Sequence, residues 1–97
     1  MSMQKETNNL DYQVLKDAVE KFGELPQIIM AMEEMSELTQ ALSKYIRGKD
    51  NQDNIAEEIA DVYIMLSQLM LMFNNGYEVD EYIGKKIKRL KEMLENE

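Results

Sequence analysis

Two pairs of carboxylates, each three residues apart, stand where a helical chain normally places apolar side chains. Glu34 and Glu37 lie in "MAMEEMSELTQAL", and Glu58 and Asp61 lie in "IAEEIADVYIML". An α-helix advances about 100° per residue, so each pair presents two carboxylates from adjacent turns of one face. With Ile28 as origin, Met30, Ala41, Tyr45, Leu38 and Leu42 fill an arc of about 200–320°. Glu34 falls inside it at about 240°, Glu37 at its edge at about 180°, and Glu33 outside it at about 140°. With Ile55 as origin, Glu58 falls at about 300°, between Met65 and Leu69, and Asp61 at about 240°, beside Met72 and Gln68.

Four carboxylates brought together repel, raise one another's pKa values, and lose hydration if buried. A bound cation removes that problem. The 97 residues include no Cys and no His, so thiolate and imidazole ligands are absent. Any metal is then held by oxygen, which favours hard cations such as Mg²⁺, with Mn²⁺ as a substitute. Oxygen ligands on rigid helices, with positions left for water and phosphate oxygens, suit Mg²⁺ in phosphate chemistry. Acid pairs of this spacing are also common on solvated helix faces. Two pairs that both intrude on apolar arcs, on consecutive antiparallel helices, favour a magnesium site between the helices.

The elements that must position these acids are helices. There is one Pro and little Gly, and no window shows sustained period-two alternation. The reading is an all-α, four-helix protomer with helices at about 11–22, 27–47, 54–74 and 79–94, preceded by a loose tail over residues 1–10. Residues 11–97 form one domain. The first helix should bury Val14, Leu15, Ala18, Val19 and Phe22 and end at Gly23, with Pro26 opening the second. Gly48 ends the second, and "GKDNQDN" supplies a turn in which Asp53 or Asn54 caps the third. Asn75-Gly76 ends the third. The fourth carries Val79, Tyr82, Ile83, Ile87, Leu90 and Leu94 on one face and a run of Lys and Arg on the other. From Ile59 to Phe73 the third helix is apolar nearly all round, so it must be buried on most sides. A lone chain of this size can hardly cover it, and a homo-oligomeric helical bundle is expected. A monomer with its other helices packed round the third is the alternative.

A formal charge of −8 argues against sequence-independent binding of nucleic acid. "MSMQKETNNLDY" lacks the apolar core of a signal peptide, and Val62–Phe73 is too short to span a bilayer. No membrane association and a cytoplasmic location are the expectations.

Glu34-x-x-Glu37, then Glu58-x-x-Asp61 about 20 residues on, resembles the signature of the MazG-like all-α nucleoside triphosphate pyrophosphohydrolases. "EEMSELTQALSKYIRGK" followed by "NIAEEIADVYIMLSQL" is similar to that family's metal-binding helix pair, and the resemblance covers roughly residues 11–92. It implies an enzyme that cleaves a nucleoside triphosphate between the α- and β-phosphates, working as a dimer or tetramer. Carried over by position, Glu34, Glu37, Glu58 and Asp61 would be Mg²⁺ ligands. Glu37, at the edge of the apolar arc, is the candidate to orient or deprotonate the attacking water. In "YIGKKIKRL", Lys86 and Arg89 resemble a Lys-x-x-Arg element found late in that family, and Lys44, Arg47 and Lys49 are comparable phosphate-binding candidates. The alternative is a non-catalytic helical protein that binds a nucleotide or a partner and uses the third helix to oligomerise.

Overall fold

The computed structural model of the chain describes residues 9–96. Four α-helices account for nearly all of them, with no strand among the described residues: α1 Tyr12–Phe22, α2 Glu24–Ile46, α3 Gln52–Phe73 and α4 Gly76–Glu95. Most of the expected tail lies outside the described residues; Asn9 and Leu10 are not helical.

Local chemistry sets each boundary. The Asp11 carboxylate accepts hydrogen bonds from the Gln13 and Val14 amides (3.1 and 3.2 Å), which satisfies two of the free donors at the start of α1. Gly23 ends α1 and opens α2 in one residue. Its φ of 91° is a conformation that L side chains rarely adopt. This single-residue hinge starts α2 at Glu24, earlier than expected, and places Pro26 within the first turn, where its missing N–H costs nothing. Helix α3 also starts early. Asp53 and Asn54 lie inside it, and Asn51 precedes it with its amide Nδ2 donating to the Ala41 carbonyl of α2 at 3.0 Å. Asn74 ends α3 in the left-handed region (φ 50°, ψ 45°), and α4 follows after Asn75. Helix α4 therefore begins at Gly76, before the expected Val79.

The α2–α3 hairpin is the body of the molecule, and α1 packs along both of its helices. Ala31 and Ala41 on α2 and Met65 on α3 are the buried apolar residues of this hairpin. Leu15 is the buried anchor of α1; Ala18 and Val19 are partly covered, but Val14 and Phe22 are exposed, contrary to the expected burial. Helix α4 makes at most slight contact with the other helices and buries no residue. The third helix is thus not enclosed by the rest of its own chain. Its face carrying Ile59, Tyr63, Leu66 and Phe73 stays 45–56% exposed.

Candidate functional site

The acid pairs meet across the α2–α3 contact. One carboxylate oxygen from each of Glu34, Glu37 and Glu58 lies within 4.8 Å of the others. Asp61 lies near enough to Glu34, and Glu37 near enough to Glu58, for their charges to act on those carboxyls. Helix geometry explains the pairing. Each helix contributes two acids one turn apart, and the antiparallel run of α2 and α3 sets one pair against the other.

Burial is graded across the group. Glu58 is 9% exposed, Glu34 and Asp61 are partly buried, and Glu37 is exposed at the rim. Oε2 of Glu34 and Oε2 of Glu58 are buried without a hydrogen-bond donor. Facing carboxylates give each other no donor while both are ionised, so their close approach and their lack of partners are one fact. Burial, followed by the charges of Asp61, Glu37 and Glu58, pushes the Glu34 carboxyl above the ordinary carboxylate range. Burial, followed by Glu37, Asp61 and Glu57, does the same to Glu58. Every charge that shifts these two groups is negative. A cluster with no cation of its own is electrostatically incomplete.

The donor set fits a hard cation. Three oxygens within 4.8 Å of one another share a point no farther than about 2.8 Å from each, and small side-chain adjustments reach the roughly 2.0–2.6 Å of Mg²⁺–O and Ca²⁺–O bonds. Glu34, Glu37 and Glu58 would hold such an ion, with Asp61 beside them.

Glu33, one residue from Glu34, is exposed and outside the cluster. Lys44, Arg47 and Lys49 gather where α2 ends and are exposed; Arg47 Nη1 donates to Ser43 Oγ at 3.3 Å. Lys86 and Arg89 are exposed on α4, and the structure does not bring them to the acids of their own chain. Tyr45 and Tyr63 are about half exposed rather than core.

Sequence reasoning missed some buried polar groups. Gln27 is 3% exposed, Gln68 is 4% exposed, and Gln68 Oε1 and Asn51 Oδ1 lack partners. Gln27 and Gln68 stand seven residues, about two turns, from Glu34 and Asp61 on the same helix faces, a spacing that could have marked them. A depression lined by Tyr12, Ser67, Met70 and Tyr77, where α4 leaves α3, shares no residue with the acid cluster.

No family model, curated protein or solved structure matches the chain. No helix among the described residues is long and apolar enough to cross a membrane.

Proposed function

We propose that the chain is a Mg²⁺-dependent nucleoside triphosphate pyrophosphohydrolase, converting a (d)NTP and water into the (d)NMP and pyrophosphate. It acts as a homo-oligomer in the cytoplasm, where both substrate and Mg²⁺ are available. The observation that carries this reading is Glu58: a nine-tenths-buried carboxylate with an unpartnered oxygen, surrounded by acids. Such a group is costly unless a cation is its ligand.

Glu34, Glu37 and Glu58, with Asp61 beside them, would hold the ion from rigid helices. When bound, Mg²⁺ (or Mn²⁺ in its place) supplies the positive charge that neutralises a triphosphate and activates water. Glu37 is the exposed member of the cluster, and its carboxylate orients the attacking water and accepts its proton. Lys44 lies seven residues, about 10 Å, beyond Glu37 along α2 and on nearly the same face. With Arg47 and Lys49 it offers cations to the polyphosphate end of a nucleotide.

The homo-oligomer is supported by what one chain leaves uncovered. Met32, Met35, Leu42 and Ile46, spaced by three, seven and four residues, form a stripe along one face of α2, 39–83% exposed. Ile59, Tyr63, Leu66 and Phe73 form its counterpart on α3. The chain exposes 8437 Å², against about 5,800 Å² for a compact protein of its mass. The nine residues outside the described range expose at most about 1,500 Å² even as unfolded chain. More than about 1,000 Å² of excess is left, enough for one side of a stable interface.

The test is pyrophosphate release from a nucleotide panel with Mg²⁺. Glu37→Gln and Asp61→Asn should each lose roughly 100-fold or more, the scale of a general base or a metal ligand. No turnover of any nucleotide, or full activity in both variants, overturns the reading. The exposed stripes alone also fit a non-catalytic helical interaction protein; that reading expects no effect of Mg²⁺ on stability.

A further inference from the structure

We propose that Gln68, with Gln27 opposite it, reads the nucleobase of the substrate and selects the amino-bearing bases adenine and cytosine over their oxo counterparts, hypoxanthine and uracil. The inference rests on the nucleotide reading above and deepens it by naming which nucleotides the site takes.

Register brings the two amides together. Across the α2–α3 hairpin, Glu34 stands by Asp61 and Glu37 by Glu58. Three residues back along α2 therefore match three forward along α3. Seven more, about two turns, reach Gln27 on α2 and Gln68 on α3, within about 20° of the faces that carry Glu34 and Asp61. Two carboxylate pairs and one amide pair thus form a single polar line along an apolar seam. Both glutamines are more than nine-tenths buried, and Gln68 Oε1 has no donor. A buried acceptor left unpaired is costly, so a ligand that donates to it binds with an advantage over one that does not.

The seam also has a direction. Lys44, Arg47 and Lys49 lie beyond Glu37, toward the α2–α3 turn, and the acids stand between these cations and the amides. A triphosphate cleaved at the acids, with its β- and γ-phosphates toward the cations, points its nucleoside toward Gln27 and Gln68. The amides lie about 10 Å along the helices from Glu34 and Asp61, comparable with the span of a nucleoside.

Helix α1 roofs this end of the seam. It joins α2 through Gly23 alone and packs on both α2 and α3, so it lies over the first turns of α2, where Gln27 stands. Leu15 is its one buried residue, and none of its side chains donates to Gln68 Oε1. A helix held by one anchor and joined at a glycine with φ of 91° can lift enough for a flat base to slide beneath it. The amino group of the base then donates to Gln68 Oε1, and the ring nitrogen beside it accepts from Gln68 Nε2, the bidentate pairing glutamine makes with adenine. Gln27 accepts the second amino hydrogen. An oxo base presents an acceptor where a donor is needed and is rejected for that reason.

The test is calorimetric binding, in Mg²⁺, of the uncleavable α,β-methylene analogues of ATP, ITP, CTP and UTP. The wild type should bind the ATP and CTP analogues about 100-fold more tightly than those of ITP and UTP. Gln68→Met keeps the length of the side chain and removes its hydrogen-bonding groups; it should bring both ratios below about threefold. Should that variant fail to fold, Gln27→Met makes the same test, with the ratios expected to fall about tenfold. A glutamine pair that only holds α2 and α3 in register would weaken all four ligands together and leave the ratios intact, which overturns the inference. Equal affinities in the wild type, or a preference for the ITP and UTP analogues, overturn it too. Each of these results leaves the pyrophosphohydrolase standing. Absence of both binding and pyrophosphate release overturns that reading and the inference with it.

Discussion

Replacing Glu58 with Gln should stabilise the metal-free protein and remove most of its response to Mg²⁺. Most substitutions at a position 9% exposed destabilise, so the expected sign is unusual. It follows from the surroundings. Glu58 Oε2 has no donor, and Glu37, Asp61 and Glu57 all oppose its charge. Gln keeps the shape, removes the charge and brings an amide donor that a facing carboxylate can accept. The response to metal follows from linkage. An ion that binds only the folded state at a hundred times its Kd adds about 2.7 kcal/mol. At about 4–8 °C per kcal/mol for a chain of this length, the wild type should gain roughly 11–22 °C in Tm. If losing one carboxylate weakens binding about 100-fold, the gain at the same Mg²⁺ concentration falls to about 0.4 kcal/mol, or roughly 2–3 °C. The assay is thermal unfolding in chelator and in Mg²⁺ at one fixed protomer concentration. A Glu58→Gln protein that melts below the wild type in chelator refutes the electrostatic argument. An equal Mg²⁺ shift in both proteins refutes the assignment of Glu58 as a ligand.

Other outcomes follow from the same geometry. Glu33→Gln should change pyrophosphate release by less than about twofold, whereas Glu34→Gln should abolish most of it, although the two residues are adjacent. In chelator, stability should fall as pH rises from the ordinary carboxylate value of 4.5 through the raised pKa values of Glu34 and Glu58. The folded state binds more protons than the unfolded state over that window, so the slope is negative; urea unfolding across pH 4–7 measures it. Leu66→Asp, on the exposed α3 stripe, should shift sedimentation toward the monomer mass of 11.4 kDa. Gly23→Ala should cost about 1–2 kcal/mol by urea melts, because the backbone there holds φ at 91°.

The helices were legible because their punctuation is chemical. Gly48, with φ at 97°, stands just past the end of α2, and the break near Asn75-Gly76 is real, although Asn74 makes it and Gly76 already opens α4. Starts were less legible where the capping side chain does something else. Asn51 ties α3 to the Ala41 carbonyl rather than capping its own helix, so the reading settled on Asp53 or Asn54 instead. Periodicity shows which face of a helix is apolar but not what covers it. Val14, Phe22 and the whole apolar face of α4 were therefore readable as faces and unreadable as exposed ones. The angular argument separated Glu33 from Glu34 and set four acids on facing arcs. Angles around one helix axis do not rank the acids' burial, which depends on how α2 and α3 pack together. Nor could it show that Lys86 and Arg89 stand apart from those acids, since the direction in which α4 leaves α3 is set at Asn74.

The most direct measurement is ³¹P NMR of a panel of nucleoside triphosphates incubated with the purified protein and Mg²⁺. The expected result is conversion of at least one nucleotide to its monophosphate and pyrophosphate, dependent on the metal and lost in Asp61→Asn. Unchanged spectra across the panel, or a diphosphate and orthophosphate as products, would contradict the proposed reaction.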